Sequence, residues 1–184
     1  PVVADSALGL LRDWTRRPQR AAPRRIQPAV VTPAEVQALF GKVFRVTMAS
    51  GRQFDVELFL QEAPLTVARL ARLIRRRYFD GLTFHRVVPN FVIQGGSPGA
   101  NEYAGDGPFM RDELSARSHE RGTLGVSTRG RDTGDGQIFV NLVDNPRLDF
   151  DYTVWGRVIG SAGLAVVDAV REGDQIRRVE IRPR

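Results

Sequence analysis

Eight short runs of β-forming residues, separated by glycine-rich turns, constrain the fold of this chain more than any other feature. The runs lie at residues 43–48, 53–60, 83–87, 91–94, 122–127, 137–142, 154–159 and 177–181. Many short strands joined by tight turns are typical of antiparallel barrels, in which every strand has a partner on both sides. The sequence therefore predicts a mainly β fold, a closed eight-stranded antiparallel β-barrel.

Two helical patterns interrupt the strand-like runs. Between residues 67 and 78, apolar residues recur at helical spacing opposite a row of arginines that includes Arg69 and Arg72. A second apolar stripe includes Leu164 and Val167 and ends before Gly173. Each pattern predicts an amphipathic α-helix.

The first 41 residues are predicted to form an appendage. An amphipathic helix is expected over residues 5–17, with an apolar face formed by Ala7, Leu10, Leu11 and Trp14. Three prolines then indicate an extended linker that reaches residue 28. A capping box at Thr32–Glu35 predicts a short helix that ends near Phe40. We therefore divide the chain into an N-terminal helical and linker appendage at 1–41 and a barrel domain at 42–184.

The net charge of +6 raises the question of a nucleic-acid partner. Half of this excess lies in residues 1–40, where six arginines stand against three carboxylates, so the barrel region is only mildly basic. Lys42 is the single lysine, a compositional bias that argues against a selected set of phosphate contacts. We therefore expect no nucleic-acid partner.

Residue types exclude several classes of site. The chain has no cysteine, which rules out disulfides and thiolate catalysis, and neither His85 nor His119 has the spacing of a metal ligand. No apolar run reaches the roughly 18–20 residues of a membrane span. We expect no metal, no cofactor and no membrane span. Because the chain starts at Pro1 without Met or a signal-peptide pattern, we also expect an additional domain before Pro1 in a longer protein.

The stretch Phe84–Gly96 places Arg86 and Gln94 among apolar residues and ends in a glycine pair. An unpaired arginine in a buried strand costs free energy, so the presence of Arg86 at this position requires an explanation. Gly134–Phe139 has a similar combination of residues, in which a glycine-bounded turn leads into a glutamine and an aromatic residue. From spacing alone, a surface ion pair at a strand edge is the simpler explanation for Arg86.

These two motifs and several further segments resemble the cyclophilin family of peptidyl-prolyl cis/trans isomerases. The resemblance follows the family's order from about Lys42 to Ile181. The further segments that carry it are Phe54–Phe59, Ala63–Val67, Tyr78–Arg86, Gly122–Leu124 and Leu148–Gly156. It implies a barrel with a helix capping each open end, and isomerisation of X-Pro bonds in proline-containing polypeptides as an aid to protein folding.

The resemblance also implies the site. Arg86, Gln94 and Phe91 would form the catalytic centre, with the Arg86 cation beside the proline nitrogen favouring the twisted amide over both planar forms. The substrate-binding residues would line an apolar pocket for the proline ring or hold the residue before it: Val92, Ser127, Thr128, Gln137, Phe139, Leu148 and Tyr152. No metal, cofactor or covalent intermediate is implied.

Several positions depart from the family pattern. Val92 replaces a Met in the pocket wall, and Ser127-Thr128 replaces Ala-Asn. Arg147 stands where cyclosporin-sensitive members carry Trp, and Tyr152 where they carry His. The resemblance therefore points to a bacterial-type member with weak or no cyclosporin binding.

Other interpretations stay open at the level of sequence. The same groove would also suit a non-catalytic proline-peptide-binding module within a larger protein, and residues alone do not decide between bacterial cytoplasm and periplasm. His119 lies in a polar stretch and is expected to be solvated. Asp132–Gly134 matches the short aspartic-peptidase signature, but that chemistry needs two such carboxylates, so we assign the triplet to a turn.

Overall fold

The computed structural model describes residues 2–16 and 30–184, with the backbone alone for residues 2–8. The strands are β1 Lys42–Met48, β2 Gln53–Leu58, β3 Arg86–Val88, β4 Val92–Gly95, β5 Thr123–Val126, β6 Ile138–Asn141, β7 Val154–Val158 and β8 Ile176–Pro183. The helices of the described residues are α1 Val2–Thr15, α2 Pro33–Gln37, α3 Pro64–Arg75, a 3₁₀ helix Pro146–Leu148 and α4 Gly160–Asp168. Each of the eight predicted runs overlaps one strand.

The eight strands form one antiparallel sheet in the order β3-β4-β6-β5-β7-β2-β1-β8. The sheet curls into an open half-barrel, so the mainly β architecture is confirmed, whereas the closed barrel is not found. Within the described residues no ladder joins the edge strands β3 and β8. The segment before β3 still touches the start of β8 through backbone hydrogen bonds, including Phe84 N to Asp174 O at 2.9 Å and Ile176 N to Leu82 O at 2.8 Å.

The core lies between the sheet and the two longer helices that follow β2 and β7. Val67 and Leu70 on α3 are at most 1% exposed and belong to one apolar cluster with Trp155 of β7. Helix α4 packs on β2 and approaches closely at Gly163, where a Cβ atom would lie 2.9 Å from Cγ1 of Val158. Because these helices pack on the core side of the sheet, its outer face remains available for a site.

Helix α3 is tied to the long segment between β4 and β5. Arg69, predicted on the solvated row, is instead 6% exposed, and its Nη2 donates to the Asp106 carboxylate at 2.6 Å. Glu113 caps the N-terminus of the helix by accepting from the N–H of Thr66 at 2.6 Å. A buried arginine is stable only with such a partner, so the ion pair anchors this segment against the barrel.

Residues 30–41 also pack on the barrel. The predicted capping box is confirmed, since Thr32 N donates to Oε2 of Glu35 at 2.9 Å and Glu35 N donates to Oγ1 of Thr32 at 3.3 Å. Glu35 also accepts from Nε of Arg72 at 2.7 Å, and Leu39 is 1% exposed within the core cluster. The boundary between residues 41 and 42 stays a prediction, and these contacts favour a folding unit that starts near residue 30.

Helix α1 begins at Val2, three residues before its predicted start. On its predicted apolar face, Leu10 and Trp14 are 73% and 85% exposed. The predicted linker at 18–28 lies outside the described residues. No helix in the two described ranges is long and apolar enough to cross a membrane.

Replacing Leu39 by Ala should lower the free energy of unfolding by about 2–4 kcal/mol, because removal of the buried leucine side chain leaves a cavity in the core. Phe40→Ala is the matched control: Phe40 is 52% exposed, and its loss should cost less than about 1 kcal/mol. Chemical denaturation of both variants measures the difference. A loss of less than about 1 kcal/mol for Leu39→Ala would contradict the packing of residues 30–41 on the core.

Candidate active site

A row of directly opposed residues crosses four strands of the sheet. Arg86 on β3 is opposite Gln94 on β4, Gln94 is opposite Phe139 on β6, and Phe139 is opposite Gly125 on β5. Opposed residues share a face of the sheet, and the next residue along each strand takes the other face. On β4, β5 and β6 those next residues are fully buried in the core, namely Ile93, Leu124 and Val140, and on β3 Val87 is partly buried against the core. Strand alternation therefore puts the row on the outer face.

The row forms one wall of a groove of about 270 Å³. The residues that line it are Arg86, Phe91, Val92, Gln94, Glu102, Ser127, Thr128, Arg129, Phe139, Leu148 and Tyr152. All the predicted site residues except Gln137 are among them. The structure thus brings together side chains that are up to 66 positions apart in the chain, from Arg86 to Tyr152.

Arg86 is flanked on two sides. Its Nη1 donates to Oε1 of Gln94 at 3.4 Å, and its Nε lies 3.5 Å from Oε1 of Glu102. The guanidinium carbon is 6.0 Å from the centre of the Phe91 ring. Because the side chain is 38% exposed, it is neither a buried unpaired charge nor a free surface arginine. A cation held in this way is available to a molecule in the groove.

Gln94 is fixed by a buried chain of amides. Its Nε2 donates to Oγ of Ser127 at 2.9 Å and to Oε1 of Gln137 at 3.2 Å, which leaves its Oε1 facing Arg86. Gln137 in turn donates from Nε2 to the carbonyls of Glu102 and Ala104 at 3.2 Å and 3.0 Å. Since Gln137 is fully buried, it lies behind the wall and holds Gln94. The predicted direct contact of Gln137 with substrate does not fit this position.

The apolar part of the groove is formed by Phe91, Val92, Phe139, Leu148 and Tyr152. Phe139 meets Tyr152 edge to face, with ring centres 5.8 Å apart. The Phe139 ring lies over Gly125, where a Cβ atom would be 2.2 Å from Cζ of the ring, so only glycine leaves the ring in place. Arg147 stacks on Phe91, with its guanidinium carbon 4.2 Å from the ring centre.

A buried histidine supports Phe139 from outside the groove. His119 is fully buried, not solvated as predicted, and its ring stacks on Phe139 with centres 5.8 Å apart and 15° between the planes. Its Nδ1 lies 3.0 Å from Oδ1 of Asp149, and that oxygen also accepts from the His119 N–H at 2.8 Å. Because a carboxylate only accepts hydrogen bonds, the neutral ring donates from Nδ1. Asp149 directly follows Leu148, so the pair joins two walls of the pocket.

Glu102 and Arg129 line the groove but were not identified from the sequence. Arg129 donates from Nη2 to Oδ2 of Asp135 at 2.6 Å and from Nη1 to the carbonyl of Glu102 at 2.6 Å. Arg129 directly follows Thr128, so extending that motif by one residue would have found it. Glu102 lies in an irregular segment between β4 and β5 without periodicity, and no local signal marks it.

The groove combines a fixed cation, a carboxamide and an apolar pocket. Ser127 Oγ accepts from Gln94, and the imidazole of His119 lies outside the lining, so no activated nucleophile is formed by these groups. Among the described residues, no group of three or more His, Asp or Glu side chains is placed to hold a metal ion. The arrangement is suited to binding an apolar ring beside a cation and acting on it without covalent chemistry.

Comparisons with known proteins agree on one family. The family model described as "Cyclophilin type peptidyl-prolyl cis-trans isomerase/CLD" matches residues 43–183. A peptidyl-prolyl cis-trans isomerase of Helicobacter pylori is 38% identical over 126 residues, which cover 67% of this chain and 77% of that protein. Peptidyl-prolyl cis-trans isomerase B of Bacillus subtilis is 35% identical over 136 residues, 73% of this chain and 94% of that protein.

A solved structure shares the fold. The Cryptosporidium parvum cyclophilin type peptidyl-prolyl cis-trans isomerase, in the presence of the dipeptide Ala-Pro, matches with a TM-score of 0.70 at 22% identity. The match covers 77% of this chain and 99% of that one. It therefore supports the fold over nearly the whole length of the other protein.

The His119–Asp149 pair should make stability depend on pH. Burial lowers the pKa of His119 below its ordinary value of 6.5, although Asp149 opposes this shift. Between the lowered pKa and 6.5 the unfolded chain binds more protons than the folded chain, so stability falls as the pH drops below 6.5. Burial opposes ionisation of Asp149, but the hydrogen bonds from His119 and Ser118 outweigh burial and lower the pKa of Asp149. The stability that the ionised Asp149 contributes is therefore lost only below pH 3.8.

His119→Asn should therefore show a weaker loss of stability than the wild type as the pH falls from 6.5 towards 4, because Asn retains a donor for Asp149 but does not titrate. Denaturation at a series of pH values measures both slopes. Burial also lowers the pKa of His85, but His85 is present in both proteins, so the difference belongs to His119. Equal slopes would contradict a neutral buried His119.

Proposed function

The chain belongs to the cyclophilin-type peptidyl-prolyl cis-trans isomerase family, and on this premise we propose that Arg86, Gln94 and Phe91 form its catalytic centre. The protein is a peptidyl-prolyl cis-trans isomerase that accelerates rotation about X-Pro bonds in proline-containing polypeptides. The observation that carries the site assignment is the row from Arg86 through Gln94 to Phe139, which sets a held cation beside an apolar pocket.

The reaction needs no covalent step. Rotation about an X-Pro bond is slow because the nitrogen lone pair is delocalised into the carbonyl, which gives a barrier of about 18–20 kcal/mol. Twisting the bond returns the lone pair to the nitrogen. A donor beside that nitrogen stabilises the twisted state more than either planar state, and such differential binding is catalysis.

Arg86 is the proposed donor. Gln94 on one side and Glu102 on the other hold its guanidinium before the substrate arrives, so little reorganisation is needed during the reaction. Phe91 lies under both Arg86 and Arg147 and would set the depth at which the proline ring stops. The proposed mechanism uses only groups of this chain and requires neither a metal nor a cofactor.

The remaining groove residues are proposed to bind the peptide. Val92, Phe139, Leu148 and Tyr152 would enclose the proline ring. The Ser127 N–H already donates to the Gln137 carbonyl at 3.0 Å, so the contact with the residue before proline falls to the Ser127 carbonyl and to Thr128. Because contacts of this kind are made to the peptide backbone and not to a side chain, they predict broad selectivity for the residue before proline.

Arg147 is proposed to weaken cyclosporin binding. The guanidinium covers Phe91 at the pocket edge, at the position where the family resemblance implies Trp in cyclosporin-sensitive members. An apolar inhibitor that covers this site must remove water from the charge without supplying a hydrogen-bond partner, which is unfavourable. Substrate binding depends less on this edge, because the proline ring sits against Phe139.

Arg86→Ala should lower kcat/KM by about 10²–10³-fold, equivalent to a loss of about 3–4 kcal/mol of transition-state stabilisation. Arg86→Lys should recover only part of the rate, because a point charge does not reproduce the planar guanidinium held by Gln94. A coupled isomerisation assay on a proline tetrapeptide measures both, and circular dichroism with a melting curve checks that the variants are folded.

The control for this series is Arg182→Ala, which removes an arginine of β8 that is 51% exposed and does not line the groove. It should keep the wild-type rate. Full activity in a folded Arg86→Ala protein would disprove the proposed role of Arg86. A wild-type rate equal to the uncatalysed rate would favour the binding-module interpretation.

Cyclosporin should inhibit the wild type only weakly, and Arg147→Trp should restore part of the inhibition by replacing a charge with an apolar ring. Inhibition curves in the same assay measure this. Arg147→Ala is the control, since it removes the charge without adding an indole and should recover less. Nanomolar inhibition of the unmodified protein would show that Arg147 does not limit inhibitor binding.

A further inference from the structure

One carboxylate lies on the rim of the groove. Glu102 is 54% exposed, and its Oε1 lies 3.5 Å from Nε of Arg86, longer than a full-strength hydrogen bond. The carboxylate is thus close enough to hold the Arg86 guanidinium, but the guanidinium does not cover the carboxylate. Its exposed side is open to any side chain that a bound peptide brings to this rim.

The backbone of Glu102 is anchored to the groove wall. Its carbonyl accepts from Nη1 of Arg129 at 2.6 Å and from Nε2 of Gln137 at 3.2 Å. Two residues on, the carbonyl of Ala104 accepts from Oγ of Ser97 at 2.7 Å. Because the donors belong to the wall or to the strand end beside it, the backbone of Glu102 is held at a defined place on the rim.

The wall leads from the proposed proline pocket to Glu102. It starts at Gly125, opposite Phe139, and reaches Arg129 four residues on, where the guanidinium donates to the backbone carbonyl of Glu102. Residues 127–128, the proposed contacts for the residue before proline, lie between the two ends. An extended peptide advances about 3.3 Å per residue. A peptide with its proline against Phe139 therefore brings one of the two residues before the proline to Glu102.

We propose that Glu102 is a specificity-determining residue, which favours substrates with a basic side chain at one of the two positions before the proline. The inference rests on the function proposed above. A partly exposed carboxylate attracts lysine or arginine and repels aspartate or glutamate. Since alternate residues of an extended chain point to opposite sides, only one of the two positions reaches Glu102.

Neighbouring charges do not cancel this effect. Arg129 is paired with Asp135, whose side chain is 1% exposed. Arg86 is 38% exposed and Glu102 54%, so the carboxylate is the more accessible of these two charges. Arg147, the other cation beside the groove, lies on the side of the apolar pocket.

The test uses tetrapeptides with Lys, Gln or Glu at each of the two positions before the proline. At low ionic strength the wild type should prefer Lys to Glu in kcat/KM by about five- to tenfold at one position, with Gln between them. The preference should shrink at about 0.5 M salt, because exposed charges are screened. Glu102→Gln should bring the ratio to within about twofold of one, and Glu102→Lys should reverse it.

Glu120→Gln is the matched control. Glu120 is 55% exposed and ion-paired with Arg157, so this variant makes the same change of charge outside the groove lining and should keep the wild-type ratio. If a Glu102 variant loses turnover, peptide affinities from NMR titration supply the ratio. Each ratio compares two peptides on the same protein, so a change of rate that affects both peptides equally cancels from the ratio.

A preference for Lys that survives Glu102→Gln would overturn the proposal, and so would the absence of any preference for Lys over Glu at both positions in the wild type. The proposed function is tested separately, by turnover of the Gln peptide in the wild type and in Arg86→Ala. Normal turnover without charge preference would reject the role of Glu102 and leave the isomerase mechanism intact.

Discussion

The hydrogen-bond register between β4 and β6 is the constraint on which the groove depends. It sets Gln94 opposite Phe139, while β3 sets Arg86 opposite Gln94. A slip of one residue would turn this row into the core and expose Ile93 and Val140. Each of these buried side chains contributes roughly 1.5–3 kcal/mol through burial, so the slip is strongly disfavoured. Core packing thus holds the proposed catalytic groups in place.

A buried polar network makes the segment between β4 and β5 part of the site. Gln137 connects Gln94 to the carbonyl of Glu102, and Arg69 holds the same segment through Asp106. In a poorly polarisable interior an unpaired member of this network would be costly, so the groups stay together. The groove rim is therefore organised before substrate binds, which electrostatic catalysis requires.

The proposed proline pocket depends on what lies against one ring. Gly125 leaves room for the ring of Phe139, and the ring of His119 stacks on it. Asp149 orients His119 and directly follows Leu148, another pocket residue. The shape of the pocket is therefore set partly by residues that a substrate never touches.

Local patterns in the sequence determined the mainly β architecture, the eight strands and the family motifs that place Arg86, Gln94 and Phe139 in the site. They failed for the residues whose surroundings come from distant segments. His119 is buried by contact with Asp149, 30 positions away, Gln137 lies 35 positions from the carbonyl it holds at Glu102, and the sheet stays open because β3 forms no ladder with β8. Alternation along a strand decides which face a side chain takes, because it is a property of neighbouring residues. What covers that face was decided only by the tertiary structure, because it depends on contacts between segments that the local pattern does not relate.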